Sequence, residues 1–217
     1  MWGNYNLHIY IFVNNPLYKY ILFKLKLIVI LMLDKILSKI DINSIMLLAK
    51  IINNISLVNN NVYTIGVGKS QHVARLFSDQ LKLLSIVSMN LNITNLSHGD
   101  IGIINENDLI IIVSKSGNTE ELIDIIPILK DKKAIVCLIS MNSLGIINKM
   151  VSYAFILPKI DEIDSCNLIP SNSILVFIHY FNKVVLNLIS IKNLKPNTIV
   201  AMNHPGGDLG KLSKIHT

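Results

Sequence analysis

Between residues 34 and 57, apolar side chains recur at three- and four-residue spacing (Ile36, Leu37, Ile40, then Ile45, Leu48, Ile51, Ile52, Ile55). That period predicts a helix with one buried stripe. Asn59 to Asn61 break it, and the pattern changes to short β-branched runs ended by small and polar residues, at 62–67, 85–89, 108–114, 134–140 and 152–157. Each run predicts a strand. Helical spacing returns from about Lys69, with Val73, Leu76, Phe77 and Leu81 on one side, then at 119–130, where the missing N–H of Pro127 predicts a kink, and briefly at 143–150. A final stretch, 171–191, is apolar nearly all round, which predicts burial or a subunit interface. Strand alternating with helix through short connections predicts an α/β fold, a doubly wound five-stranded parallel sheet whose ligands lie at the carboxyl ends of the strands. The almost wholly apolar run 108–114 suits a parallel strand covered on both faces.

Two of these strands end in loops with candidate chemistry. VYTIGVGKS at 62–70 and LIIIVSKSGNTEE at 109–121 each read as strand, tight loop and helix. Glycine lets a backbone approach an anion closely, and the unpaired N–H groups at a helix start favour negative charge. Gly66, Gly68, Ser70, Ser114, Ser116, Gly117 and Thr119 are the candidate phosphate-binding residues. The first loop alone is a weak signal, since it fits neither a Walker loop nor GxGxxG, where position 71 is Gln. The second has the competing reading of an ordinary helix cap with a capping-box acid.

Composition narrows the function without defining it. The 217 residues suit one domain, and 51% are hydrophobic against 16% charged. The apolar share is mostly Ile and Leu, a compositional background rather than a membrane signal. The formal charge is +6, with Lys19, Lys24 and Lys26 all preceding the first acid, Asp34. No basic stripe with interleaved aromatics marks a nucleic-acid groove. Cys137 and Cys166 are too few for a disulfide framework and lack metal-site spacing, so a reducing compartment and no metal are expected. Residues 1–33 fit neither a membrane span, which needs about 18 apolar residues in a row, nor a secretory signal. A targeting or anchor segment, a packed N-terminal helix, and an upstream extension with the working start near Met32 all remain open.

His98 and His204 stand beside glycine in polar loops, whereas His179 lies inside an apolar helix and reads as structural. His8, His72 and His216 read as surface residues. Glu121 and Glu162 are ambiguous taken singly.

Together, GVGKS at 66–70, HGDIG at 98–102, SKSGNTEE at 114–121, the acidic loop before Pro170-Ser171, and HPGGDLG at 204–210 resemble the sugar isomerase (SIS) domain, and within it the arabinose 5-phosphate isomerases. The resemblance covers roughly residues 34–214. It implies a flavodoxin-like three-layer sandwich and interconversion of ribulose 5-phosphate and arabinose 5-phosphate in Kdo and lipopolysaccharide biosynthesis. It also implies no cofactor, a homotetramer, and a cytoplasmic location unless residues 1–33 direct the chain to an organelle or a membrane. By position, it places the essential lysine on Lys69, the two glutamates on Glu121 and Glu162, and the histidine on His204, with His98 contacting substrate. The chain departs from the family at Gln71, at Asn92 in place of a histidine, at Asp164-Ser165-Cys166-Asn167, and at Ser171-Asn172-Ser173-Ile174. The paired CBS modules that often follow the domain are not expected.

The mechanism implied moves a proton between C1 and C2 through an enediol. Glu162 is the expected carbon base, His204 the group for ring opening or oxygen proton transfer, Lys69 the support for enediolate charge, and Glu121 the residue that holds and polarises its neighbours. Two rivals stand beside it: a non-catalytic phosphosugar-binding module, and an isomerase of another ketose phosphate.

Overall fold

The computed structural model describes residues 34–208, together with Pro16, Tyr20, Phe23, Lys24, Gly210 and Lys211. Leu209, His8, His216, Met32 and most of the N-terminal stretch lie outside the described residues. The chain divides into two compact units, Met1–Lys39 and Ile40–Thr217. In the first, residues 34–37 form a helical turn, and the Lys24 ammonium lies 4.8 Å from the centre of the Tyr20 ring.

The second unit opens with α1 (Ile42–Leu57), capped by Asp41, whose Oδ1 accepts from Asn43 N at 2.9 Å. The single helical stretch expected over 34–57 is therefore two, because Asp41 competes for the backbone and starts a fresh helix. There follow β1 (Val62–Gly66), α2 (Lys69–Leu83), β2 (Ser88–Asn92), the one-turn α3 (Ile93–Leu96), β3 (Leu109–Val113), α4 (Glu120–Asp131), β4 (Ile135–Ser140), β5 (Tyr153–Ile156), α5 (Asn172–Ile191) and α6 (Pro196–Asn203). The strand expected at 85–89 sits three residues later. Ser85 takes φ 58 as the chain leaves α2, and β2 begins only where Ser88 pairs with Val62. The helix expected at 143–150 is a 3-10 turn over Ile146–Lys149, and α6 was not expected at all.

All five strands are parallel in the order β2-β1-β3-β4-β5. From β1 the chain crosses to β2 on one side, and from β3 it proceeds to β4 and β5 on the other. The switch point lies between β1 and β3, where Gly66 is in register with Val113. A crevice opens at the carboxyl ends of the strands at such a point. Both candidate loops leave the sheet there.

Period-two alternation divides the strands between two cores. Tyr63, Ile65, Ile110, Ile112, Val136 and Leu138 pack with Leu122, Ile126 and Leu129 of α4. Thr64 faces the other way, its Oγ1 donating to Ala74 O of α2 at 2.9 Å. On that side α2 and α5 meet through stacked Phe77 and Phe181, 4.1 Å between centroids, and Tyr180 Oη reaches Ser44 O of α1. Cys137 is buried there, and burial pushes its thiol up to about 12, while Cys166 is exposed. Among the described residues, α5 alone has the length and hydropathy to cross a membrane. Its buried residues Val176, Phe177, Tyr180, Phe181, Val184 and Leu188 follow helical spacing. Within this chain burial is limited to that stripe, and Leu175 and Leu186 are exposed.

Candidate phosphate cleft and the groups around it

The first loop is tight because β1 ends on a glycine pressed against the next helix. A Cβ on Gly66 would lie 2.6 Å from Gln71 N and from Ser70 C, so only glycine admits the first turn of α2 this close to the strand. Ser70 N and Gln71 N bond back to Val67 O and Gly68 O, each at 3.2 Å.

The second loop is held from beneath by the segment after β4. Ser140 Oγ and Met141 N donate to Lys115 O, Asn142 Nδ2 donates to Ser116 O at 2.8 Å, and Ile147 N donates to Gly117 O at 3.0 Å. Ile146 N completes the clasp on Asn118 Oδ1 at 2.7 Å. Three successive carbonyls are thus engaged on one side. Ser114 Oγ and Thr119 Oγ1 lie 3.0 Å apart, Gly117 N donates to Ser114 Oγ, and Asn118 N donates to Ser116 Oγ. Leu122 N and Ile123 N bond to Thr119 O, so the orphan amides of the first turn of α4 are those of Glu120 and Glu121. An anion at this helix start meets amides and hydroxyls rather than carbonyl oxygens. Gly117 (φ 62) lies against Gly145, where a Cβ would come 2.9 Å from Gly117 Cα and Ser116 O.

Above this loop is a cleft of about 460 Å³. Ser70, Ser114, Ser116 and Thr119, all expected from sequence, line it, joined by Lys115, Asn142, Met141 and Lys159. Lys115 was in plain view inside the motif but carried no expectation. Its ammonium donates to Glu162 Oε1 at 2.6 Å, its side chain 36% exposed against 1% for Glu162. Glu162 also accepts from Ser171 N (2.9 Å), Ser171 Oγ (3.2 Å) and Ser173 N (3.1 Å), and from the Ser173 hydroxyl. These serines open α5, so the carboxylate closes that helix's N-terminus. Burial alone would raise its pKa, but the Lys115 and Ser173 donors and the Ser171 and Ser173 amides together hold it at about 2.

The other expected residues are placed less centrally. Lys69 is exposed at the first turn of α2, beside Ser70 but outside the cleft wall. Glu121 lines a different hollow of about 380 Å³ with Asp124, Thr94, Ser97 and Ile128. His98 is exposed and in neither wall. Asn92 caps α3 by accepting from Thr94 N at 2.9 Å. His204 is exposed, with Nδ1 3.1 Å from Gly206 O. Its neighbour Asn203 donates to Leu83 O and Ser85 Oγ at the far end of α2. The 15 residues of α2 span about 22 Å, so within one chain His204 stands at the opposite end of that helix from Lys69 and Ser70. His179 is half-buried, and burial followed by the Lys183 charge lowers its pKa. Among the described residues no three His, Cys, Asp or Glu side chains gather as a metal site.

The family model described as SIS domain matches residues 57–178. An uncharacterized Chlamydia pneumoniae protein is 34% identical over 69% of this chain and 45% of its own length. The Escherichia coli arabinose 5-phosphate isomerase KpsF is 30% identical over 75% of this chain and 51% of its own. The chain therefore spans about half the length of the curated relatives it matches. A solved E. coli CFT073 protein in complex with arabinose 5-phosphate superposes with a TM-score of 0.77 at 22% identity, covering 88% of this chain and all of that one.

Proposed function

The chain belongs to the SIS domain family, and from that membership we propose that it interconverts D-ribulose 5-phosphate and D-arabinose 5-phosphate, acting on sugar phosphates in the cleft between β1 and β3. The observation that carries this reading is the phosphate loop, whose carbonyls at 115, 116 and 117 are tied to the segment after β4 while hydroxyls line a cleft of small-ligand size. Similarity to KpsF over three-quarters of the chain supports the choice of sugar.

With the phosphate at the start of α4, the sugar extends from the cleft toward the loop that follows β5. Removal of the C2 proton from the aldose leaves its electron pair in a C1–C2 double bond and negative charge on O1. Proton return to C1, with a proton moved from O2 to O1, yields the ketose. No cofactor enters. Glu162 is the proposed carbon base, carried over from the family position, and Lys115 connects it to the cleft wall. Lys69 supports enediolate charge, and Glu121 and His98 are assigned to positioning. His204 transfers oxygen protons and, standing at the far end of α2, is assigned to the cleft of a second copy. Exposed Met46, Leu47, Leu175 and Leu186 on α1 and α5 support assembly as a homo-oligomer, proposed as a tetramer, and a cytoplasmic location is proposed with it.

Incubating the purified chain with ribulose 5-phosphate and following the sugar by NMR tests the reading. Arabinose 5-phosphate should accumulate to equilibrium. A different aldose would reassign the sugar, and binding without turnover would make the chain a phosphosugar-binding module.

A further inference from the structure

The cleft is lined by two lysines, and the structure divides them. Lys115 belongs to the phosphate loop, yet its ammonium is committed to Glu162 at 2.6 Å. Lys159 lies on the loop after β5, is exposed, and among the described residues makes no hydrogen bond or ion pair. Among the described residues no carboxylate lines the cleft: its polar wall consists of Ser70, Ser114, Ser116, Thr119 and Asn142 besides the lysines. A phosphate monoester near neutral pH carries close to two negative charges, and the amides and hydroxyls of the loop supply dipoles but no full counter-charge.

Resting on the reading of this cleft as a sugar-phosphate site, we propose that Lys159 is a phosphate-binding residue, supplying the cation for the dianion, while Lys115 holds the loop after β5 in place through Glu162. Lys69, the other exposed cation nearby, lies outside the cleft wall and is left to the sugar end. A lysine serves here as a mobile point charge that can reach over the ligand. Because Lys159 comes from the same loop as Glu162, three residues earlier, phosphate capture draws on that loop as well as on the start of α4.

The test measures inorganic phosphate binding by calorimetry at low and raised salt, with the full chain as wild type, Lys159→Met, Lys159→Arg and Lys115→Met. Lys159→Met should weaken phosphate binding roughly 10- to 100-fold, the scale of a lost charge-assisted hydrogen bond, and should flatten its salt dependence. Lys159→Arg should recover most of the loss. Lys115→Met should weaken phosphate less than Lys159→Met while lowering the melting temperature more. Wild-type affinity in Lys159→Met, the reverse ranking of the two methionine variants, or a wild-type chain that binds no phosphate each overturns the proposal. The measurement needs no turnover, so phosphate binding through Lys159 in a chain that leaves ribulose 5-phosphate unchanged would sink the isomerase reading and leave this one standing.

Discussion

The Lys115 ammonium lies 2.6 Å from Glu162 Oε1, joining residues 47 positions apart. One belongs to the loop that opens α4, the other to the loop that precedes α5. The pair therefore fixes the two loops relative to each other, and any change at Glu162 acts on chemistry and architecture together.

Glu162→Gln separates those two consequences. As the proposed carbon base, its loss should lower kcat by about 10² to 10⁴, with a modest change in KM. Deuterium exchange from C1 or C2 into water should fall in parallel. Wild-type exchange in a folded Glu162→Gln protein would reassign the base. Loss of melting temperature without loss of exchange would leave Glu162 as a loop anchor only.

Acid should expose the same pair. Glu162 titrates near 2 when folded against an ordinary 4.5, so its contribution is complete above about pH 5 and is lost as pH falls toward 2, on the order of 3 kcal/mol in all. Urea midpoints measured from pH 6 to pH 2.5 should decline, and Glu162→Gln should flatten that decline. An equal decline in both proteins places the acid sensitivity elsewhere.

Affinity for substrate should depend on a residue that never touches it. A Cβ at Gly145 would meet Gly117 Cα and Ser116 O at 2.9 Å, so Gly145→Ala must displace the phosphate loop or strain it, at a cost of roughly 1 to 3 kcal/mol. KM for arabinose 5-phosphate should rise by about tenfold or more. Ser116→Ala removes a single donor and should weaken binding by roughly 1 to 3 kcal/mol without loss of fold. Unchanged KM in both variants would move the phosphate away from this loop.

Mixing experiments address His204. If it acts on the cleft of another copy, Lys69→Ala and His204→Ala proteins, each inactive alone, should regain activity when their subunits exchange. Random pairing predicts recovery of about a quarter of the wild-type rate. Continued inactivity after demonstrated exchange means that His204 serves the cleft of its own chain through a rearrangement, or serves none.

The sheet and the strand, loop and helix start around residues 114–119 were legible because their signals are local: β-branched runs, then glycine and hydroxyls at a helix start. The misplaced second strand turned on Ser85 adopting φ 58, a conformation that a serine does not advertise. The helix split at Asp41 was equally quiet, since one cap outweighed an otherwise continuous apolar period. Lys115 and Lys159 were missed for a different reason. A lysine's role depends on what it meets, and the acid that claims Lys115 lies on a distant loop, while no described side chain claims Lys159. His204 carried a motif, but only the anchorage of Asn203 on Leu83 and Ser85 reveals how far it stands from the cleft.

The chain's two cysteines are unequal, one sealed under the sheet and one exposed four positions beyond Glu162. A thiol-reactive fluorophore at neutral pH will therefore mark Cys166 alone, with no prior removal of Cys137. The dye would sit on the loop that carries Lys159 and Glu162, and its emission would report in real time on that rim as ligand enters.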